Sequence, residues 1–111
     1  MFRLTLFVFL ASYWLLSGLC RAADQGPFII VIKDHLFSPA SVAVPAGQKI
    51  KLTVDNQDAT AEEFESYDLN REKVVNGHKK IIVFIGPLQK GAYRYFGDFH
   101  PKTAQGIIVV Q

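Results

Sequence analysis

The stretch SVAVPAGQKIKLTVDN, residues 41–56, limits the fold more than any other part of the chain. Two strand-like halves flank a Pro-Ala-Gly turn, and in the second half Ile50, Leu52 and Val54 alternate with Lys49, Lys51 and Thr53. A period of two sends apolar side chains to one face and polar ones to the other, so this half is a strand with one wet face. Short segments rich in branched and aromatic residues recur as PFIIVIKD (27–34), EEFES (62–66), IIVFIG (81–86), GAYRYFG (91–97) and QGIIVVQ (105–111). The polar stretch YDLNREKVVNGHKK (67–80) holds the Asn76-Gly77 turn signal, and DLNREKVV within it has room for one short turn of helix. No window sustains the three-to-four spacing of a longer helix, and without a crossover helix a βαβ fold is disfavoured. The pattern predicts an all-β Greek-key β-sandwich of about seven strands.

The first residues follow a different plan. MFRLTLFVFLASYWLLSGLCRAA has one early charge at Arg3, an apolar run from Leu4 to Leu16 and small residues at Ala22 and Ala23. That order predicts an export signal over residues 1–22, cleaved after Ala22 or Ala23. As a transmembrane span the run falls short of roughly 20 apolar residues, and Arg21 and Asp24 close it. Leu19 stands where a small residue would precede a lipid-bearing cysteine, which argues against lipid at Cys20. The expected mature domain, residues 23–111, then has no cysteine, methionine or tryptophan, because Cys20, Met1 and Trp14 leave with the signal. Disulfides, thiolate metal sites, cysteine nucleophiles and thioether ligands are excluded together. Arg3 and Arg21 also account for the net charge of +2, so the mature chain is balanced and neither nucleic acid nor an anionic membrane is an expected partner. Its length suits one domain with one modest core. No nucleophile elbow, phosphate loop or serine-histidine-acid pattern is present.

Three places join loop-like context to metal-ligating side chains: KDHLFSP with Asp34 and His35, DATAEEFES with Glu62, Glu63 and Glu65, and GDFHPKTAQG with Asp98, His100 and Gln105. In a β-sandwich, loops from distant parts of the sequence gather at the two ends, so these three are expected at one pole. The glutamates repel one another, and a bound cation or a basic neighbour relieves that. The plainer alternative is a solvated edge whose charges deter aggregation. Alternation adds a constraint: Glu63 and Glu65 share one face of a strand, and Glu62 shares the other with Phe64. If Phe64 points into the core, only the strand end can bring Glu62 into a site. His78, in NGHKK, reads as part of a solvated turn. Phe37, Phe64, Phe84, Tyr93, Tyr95, Phe96 and Phe99 read as core and rim, with Tyr95 and Phe99 as candidates for a docking surface near the pole.

The segments HLFSPASVAVPAGQKIKLTVDNQDATAEEFE and GAYRYFGDFHPKTAQGIIVV together resemble a cupredoxin domain over almost the whole mature chain. The resemblance places the family's cysteine ligand at or near Gly97, its second histidine on His100, its axial methionine near Gln105 and its first histidine at Glu62 or Glu63. A type 1 blue-copper centre requires a thiolate and is therefore not expected. Gln105 is left as a weak axial oxygen ligand or an ordinary residue at a strand start. EEFE is similar to the glutamate-aromatic-glutamate element of the EfeO-type and stand-alone cupredoxin-like periplasmic proteins of bacterial iron uptake, and NQDATAEEFES and TAQGIIVV extend that match.

The resemblance implies a periplasmic accessory protein of iron uptake that binds iron and/or copper and works with an iron permease and associated redox components. The candidate ligands are, in order, His100, Glu63, His35, Asp98, Glu62 and Glu65, with Asp98 alternatively orienting an imidazole. Oxygen donors with one or two histidines suit iron, manganese, Cu(II) or zinc and disfavour Cu(I). Two other functions fit the same residues: a non-blue copper ferroxidase that oxidises Fe(II) for a permease, and a metal-free module that binds a partner.

Overall fold

A computed structural model describes residues 25–111, so the export signal expected over residues 1–22 lies outside the described residues. The chain runs through β1 (Phe28–Lys33), β2 (Leu36–Ser38), β3 (Ser41–Val44), β4 (Ile50–Asn56), β5 (Glu62–Ser66), β6 (Arg71–Val75), β7 (Lys80–Ile85), β8 (Gly91–Gly97) and β9 (Gln105–Val110), with no helix among the described residues. One sheet has the order β2-β1-β4-β7 and the other β3-β9-β8-β5-β6. Two neighbouring pairs, β1 with β4 and β3 with β9, are parallel. Parallel neighbours cannot be joined by a hairpin, so the chain crosses between the sheets and makes an all-β sandwich.

Alternation becomes layering strand by strand. Ile30 and Ile32 of β1, with Leu52 and Val54 of β4, point inward from the first sheet; Phe64 of β5, Tyr95 of β8 and Ile108 of β9 meet them from the second. Burying a side chain of this size contributes about 1.5–3 kcal/mol. Phe37 and Phe64 each lie 5.1 Å from the Tyr95 ring, which fixes an aromatic cluster beneath the pole.

Among the described residues nine strands stand where about seven were expected, and the additions are β2 and β6. The stretch DLNREKVV, which has room for a short helical turn, instead completes a turn through Asn70 and continues as strand β6, paired with β5 from Glu62↔Val75 to Ser66↔Arg71. Its alternation is invisible in the sequence because an edge strand buries little, and only Val75 of its five residues is buried. Arg71 donates from Nε to the Phe84 carbonyl at 2.9 Å, and Lys73 donates from Nζ to the Ile82 carbonyl at 2.9 Å. These cations occupy exposed carbonyls of β7, the edge of the opposite sheet, where another chain would otherwise pair.

Tyr95 departs from the docking role expected for it, since it is 1% exposed. Its ring lies over Gly106, where an added Cβ would stand 2.2 Å from the ring. The cross-strand pair Tyr95↔Gly106 therefore works only with glycine. The hydroxyl is buried without a hydrogen-bond partner among the described residues, and burial pushes its pKa up. A buried unpaired hydroxyl is destabilising, so Tyr95→Phe is expected to raise the unfolding free energy by about 1 kcal/mol, measured by urea denaturation.

Candidate metal centre

The turn between β1 and β2, the segment after β4, the first residue of β5 and the loop after β8 meet at one pole. The β8–β9 loop is closed on itself: Gly97 N–H donates to Ala104 O at 2.8 Å, and the His100 carbonyl accepts from Ala104 N–H at 2.9 Å and Thr103 N–H at 3.2 Å. This web places the His100 ring beside the carboxylate of Glu62, with Nδ1 to Oε2 at 2.6 Å. Glu62 is 1% exposed because it lies on the Phe64 face of β5, at the end of the core. Its Oε1 accepts from the N–H groups of Glu63 at 3.0 Å and Phe99 at 2.9 Å, so its oxygens meet three donors. Buried carboxylates are tolerated when bonded in this way.

His35 completes the cluster. Its ring stacks on that of His100 with centroids 3.6 Å apart and planes 14° from parallel. One donor atom from each of His35, Glu62 and His100 lies within 4.8 Å of the others. The carboxylate carbon of Glu62 would be 2.6 Å, and Oε1 2.8 Å, from a Cβ added at Gly97. The resemblance puts the cysteine of blue-copper proteins at or near Gly97, and the Glu62 carboxylate fills the space that a side chain at Gly97 would need. The residues present do not fit a type 1 copper centre: no thiolate is available among the described residues, and an oxygen donor stands in its place.

Of the six candidate ligands, the structure brings His35, Glu62 and His100 together and places Glu63 and Glu65 in a separate cluster. Glu63 and Glu65 leave the opposite face of β5 and cluster with Glu72 across the β5–β6 pair. Asp98 donates its backbone N–H to the Glu63 carbonyl at 2.9 Å, and its charge acts on Glu63. The reason is the two-residue period of the strand, which puts neighbours 62 and 63 on opposite sides. Gln105 is exposed and donates from Nε2 to the Pro101 carbonyl at 3.0 Å. His78 is exposed, with its backbone N–H on the Asp58 carbonyl. Phe99 is 48% exposed beside the pole.

Burial, a shared hydrogen bond with Glu72 and the charges of Glu72, Asp98 and Glu65 push the Glu63 carboxyl up to about 7 from 4.5. The folded state thus holds a proton that the unfolded chain releases between those values. Its stabilising effect is complete below pH 4.5 and lost as pH rises through 7. Glu63→Gln is expected to narrow the fall in Tm between pH 5 and pH 8, read by thermal scans of both proteins.

Two residues at this pole were not singled out in the sequence. Asn56, fully buried at the end of β4, donates from Nδ2 to the carbonyls of Thr60, Val75 and Asn76 and accepts the Asp58 N–H on Oδ1 at 3.0 Å. Asp58 accepts the N–H groups of Asp34 at 2.8 Å and His35 at 3.0 Å. Burial opposes ionisation of Asp58, but those two N–H groups and the charges of His35 and His100 outweigh it and hold its carboxyl below the usual value. The polar run NQDAT after an alternating strand was the available signal.

A two-sheet all-β sandwich with parallel pairs β1–β4 and β3–β9 and its loops gathered at one pole has the architecture of the cupredoxins. The chain belongs to the cupredoxin-like domain family, whose model matches residues 4–110. It is 54% identical over 81 residues to an uncharacterized protein of Rickettsia prowazekii (strain Madrid E), an alignment that covers 73% of this chain. The aligned part is 65% of that relative's length. Among solved structures it is similar to amicyanin from Paracoccus versutus, with a TM-score of 0.62, 14% identity and coverage of 79% of this chain and 84% of that one. It is also similar to auracyanin A, a "blue" copper protein from Chloroflexus aurantiacus (0.64, 17%, 76% and 97%), and to a purple cupredoxin from Nitrosopumilus maritimus (0.59, 21%, 76% and 99%). These structural likenesses establish the shared fold.

Proposed function

We propose that the chain is an exported, periplasmic metal-binding protein that holds a divalent first-row transition ion through His35, Glu62 and His100 in the service of iron uptake. The convergence of those three donors at one pole carries the reading. Two imidazoles and one carboxylate form the donor set of non-haem Fe(II) sites, and the same set binds Cu(II) more tightly by the Irving–Williams order. Without a thiolate the ion would lack the strong sulfur-to-copper absorption of a blue protein. Glu62 brings a negative charge that is already desolvated, and His100 brings a ring held in place by its loop. Nδ1 and Oε2 lie in direct contact at 2.6 Å, so an ion bound between them must displace that contact. The His35 ring is parallel to that of His100, so it shares an ion only by tilting out of the stack, and its 43% exposed side chain has room to do so. The iron-uptake role, with delivery to a permease and associated redox components, is supported by the likeness of EEFE and its flanks to EfeO-type proteins.

Metal analysis and titration of the exported protein with Cu(II) and Fe(II) test the site. One ion per chain is expected, absent from His100→Ala and Glu62→Ala and retained by Glu63→Ala, with a pale Cu(II) form. Unchanged stoichiometry in His100→Ala and Glu62→Ala sinks the site. Normal growth of a deletion strain on limiting iron would remove the uptake role.

A further inference from the structure

We infer that Asp58 is the positioning residue of this centre, holding His35 beside His100 by gripping the backbone of the turn that carries it. The inference rests on the proposed metal-binding reading of the site. Asp34 and His35 occupy the two central positions between the paired residues Lys33 and Leu36, and both have positive φ, 53° and 58°. A two-residue hairpin of this kind favours Asn-Gly, because the left-handed region suits glycine best and costs every residue with a side chain something, Asn, Asp and His least. Histidine in the place of that glycine therefore gains from an outside group that holds the turn. Asp58 is that group, since one oxygen accepts the Asp34 N–H at 2.8 Å and the other the His35 N–H at 3.0 Å.

The same carboxylate reaches the side chain. Its Oδ2 is 3.5 Å from His35 Nδ1, too long for a good hydrogen bond, so its firm hold is on the backbone of the turn. Asp58 is itself anchored, with its N–H on Asn56 Oδ1 and its carbonyl accepting from His78 N–H at 2.9 Å. From the buried amide of Asn56 the chain of contacts therefore runs through Asp58 to the turn and on to the stacked imidazoles. The Asp58 carboxylate makes its contacts with the element that carries His35, so its role is to place that histidine.

The test uses Cu(II) as probe and compares the full exported protein with Asp58→Ala, and with Asp58→Ala combined with Asp34→Gly. The glycine relieves the positive φ of residue 34, and so restabilises the hairpin, without restoring a carboxylate. Loss of an outer partner typically weakens metal affinity about 10- to 100-fold, which is the expected effect in Asp58→Ala. Electron paramagnetic resonance should show one imidazole fewer on the copper, and the double variant should keep both defects although its hairpin is restabilised. Recovery of wild-type affinity and spectrum in the double variant shows that Asp58 acts only through turn stability and overturns the inference. Wild-type binding by Asp58→Ala, with binding lost in His100→Ala, also overturns it while leaving the metal site intact. A wild-type protein that takes up no Cu(II) overturns both.

Discussion

Glu62→Ala is expected to lower the unfolding free energy by about 2–5 kcal/mol, because it strands donors that a buried carboxylate now satisfies. The donors are the N–H groups of Glu63 and Phe99 and the Nδ1 of His100, the last only 2.6 Å from Oε2. For a domain whose total stability is of order 5–15 kcal/mol, that loss is a large share. Glu62→Gln should cost less, since its carbonyl oxygen can still accept both backbone N–H groups while its NH2 faces a nitrogen that must switch tautomer. Urea unfolding of the three proteins reads the order wild type, Gln, Ala. Cu(II) titration of the same set should show an affinity loss in Glu62→Ala beyond the roughly 100-fold upper range of outer-shell changes. An alanine variant as stable as wild type would mean that water replaces the carboxylate at no cost.

Gly97→Ala is the second large effect. The new Cβ would stand 2.6 Å from the Glu62 carboxylate carbon and 2.7 Å from the Cβ of Ala104, which is fully buried. Neither neighbour can yield easily, because Ala104 is tied to Gly97 by a 2.8 Å backbone bond and Glu62 is held by three donors. Overpacking of this kind costs about 1–3 kcal/mol. The carboxylate should be expelled from its niche, with large amide shifts at Glu63 and Phe99 in NMR spectra and weaker Cu(II) binding. Gly97→Cys should share the defect rather than create a blue centre, since thiolate and Glu62 compete for the same space. An intense sulfur-to-copper band in that variant would show that Glu62 moves aside freely.

Much of this was legible beforehand for identifiable reasons. The alternation of Ile50, Leu52 and Val54 reports burial directly, and the same period in GAYRYFG and QGIIVVQ predicts strands that are found at β8 and β9. Strand β6 was not legible, because Arg71 to Val74 spend their side chains on solvent and on carbonyls of the facing edge. Asp58 was not legible either: its role depends on hydrogen bonds to residues 23 and 24 positions earlier, which no local pattern encodes. Glu72 joins Glu63 and Glu65 only because β6 pairs with β5.

By itself the amino-acid order determined the two-sheet all-β class, the lack of sulfur ligands in residues 23–111, and the three loop regions that carry histidine and carboxylate. These follow from composition and short-range periodicity, which act within a few residues. Only the tertiary structure decided which glutamate joins the histidines. Because successive side chains on a strand point to opposite faces, the inward direction of Phe64 sends Glu62 to His100 and Glu63 to Glu72. Long-range packing also decided that Gly97 leaves room for a carboxylate and that Asp58 holds the turn of His35, since both depend on contacts between segments far apart in the chain.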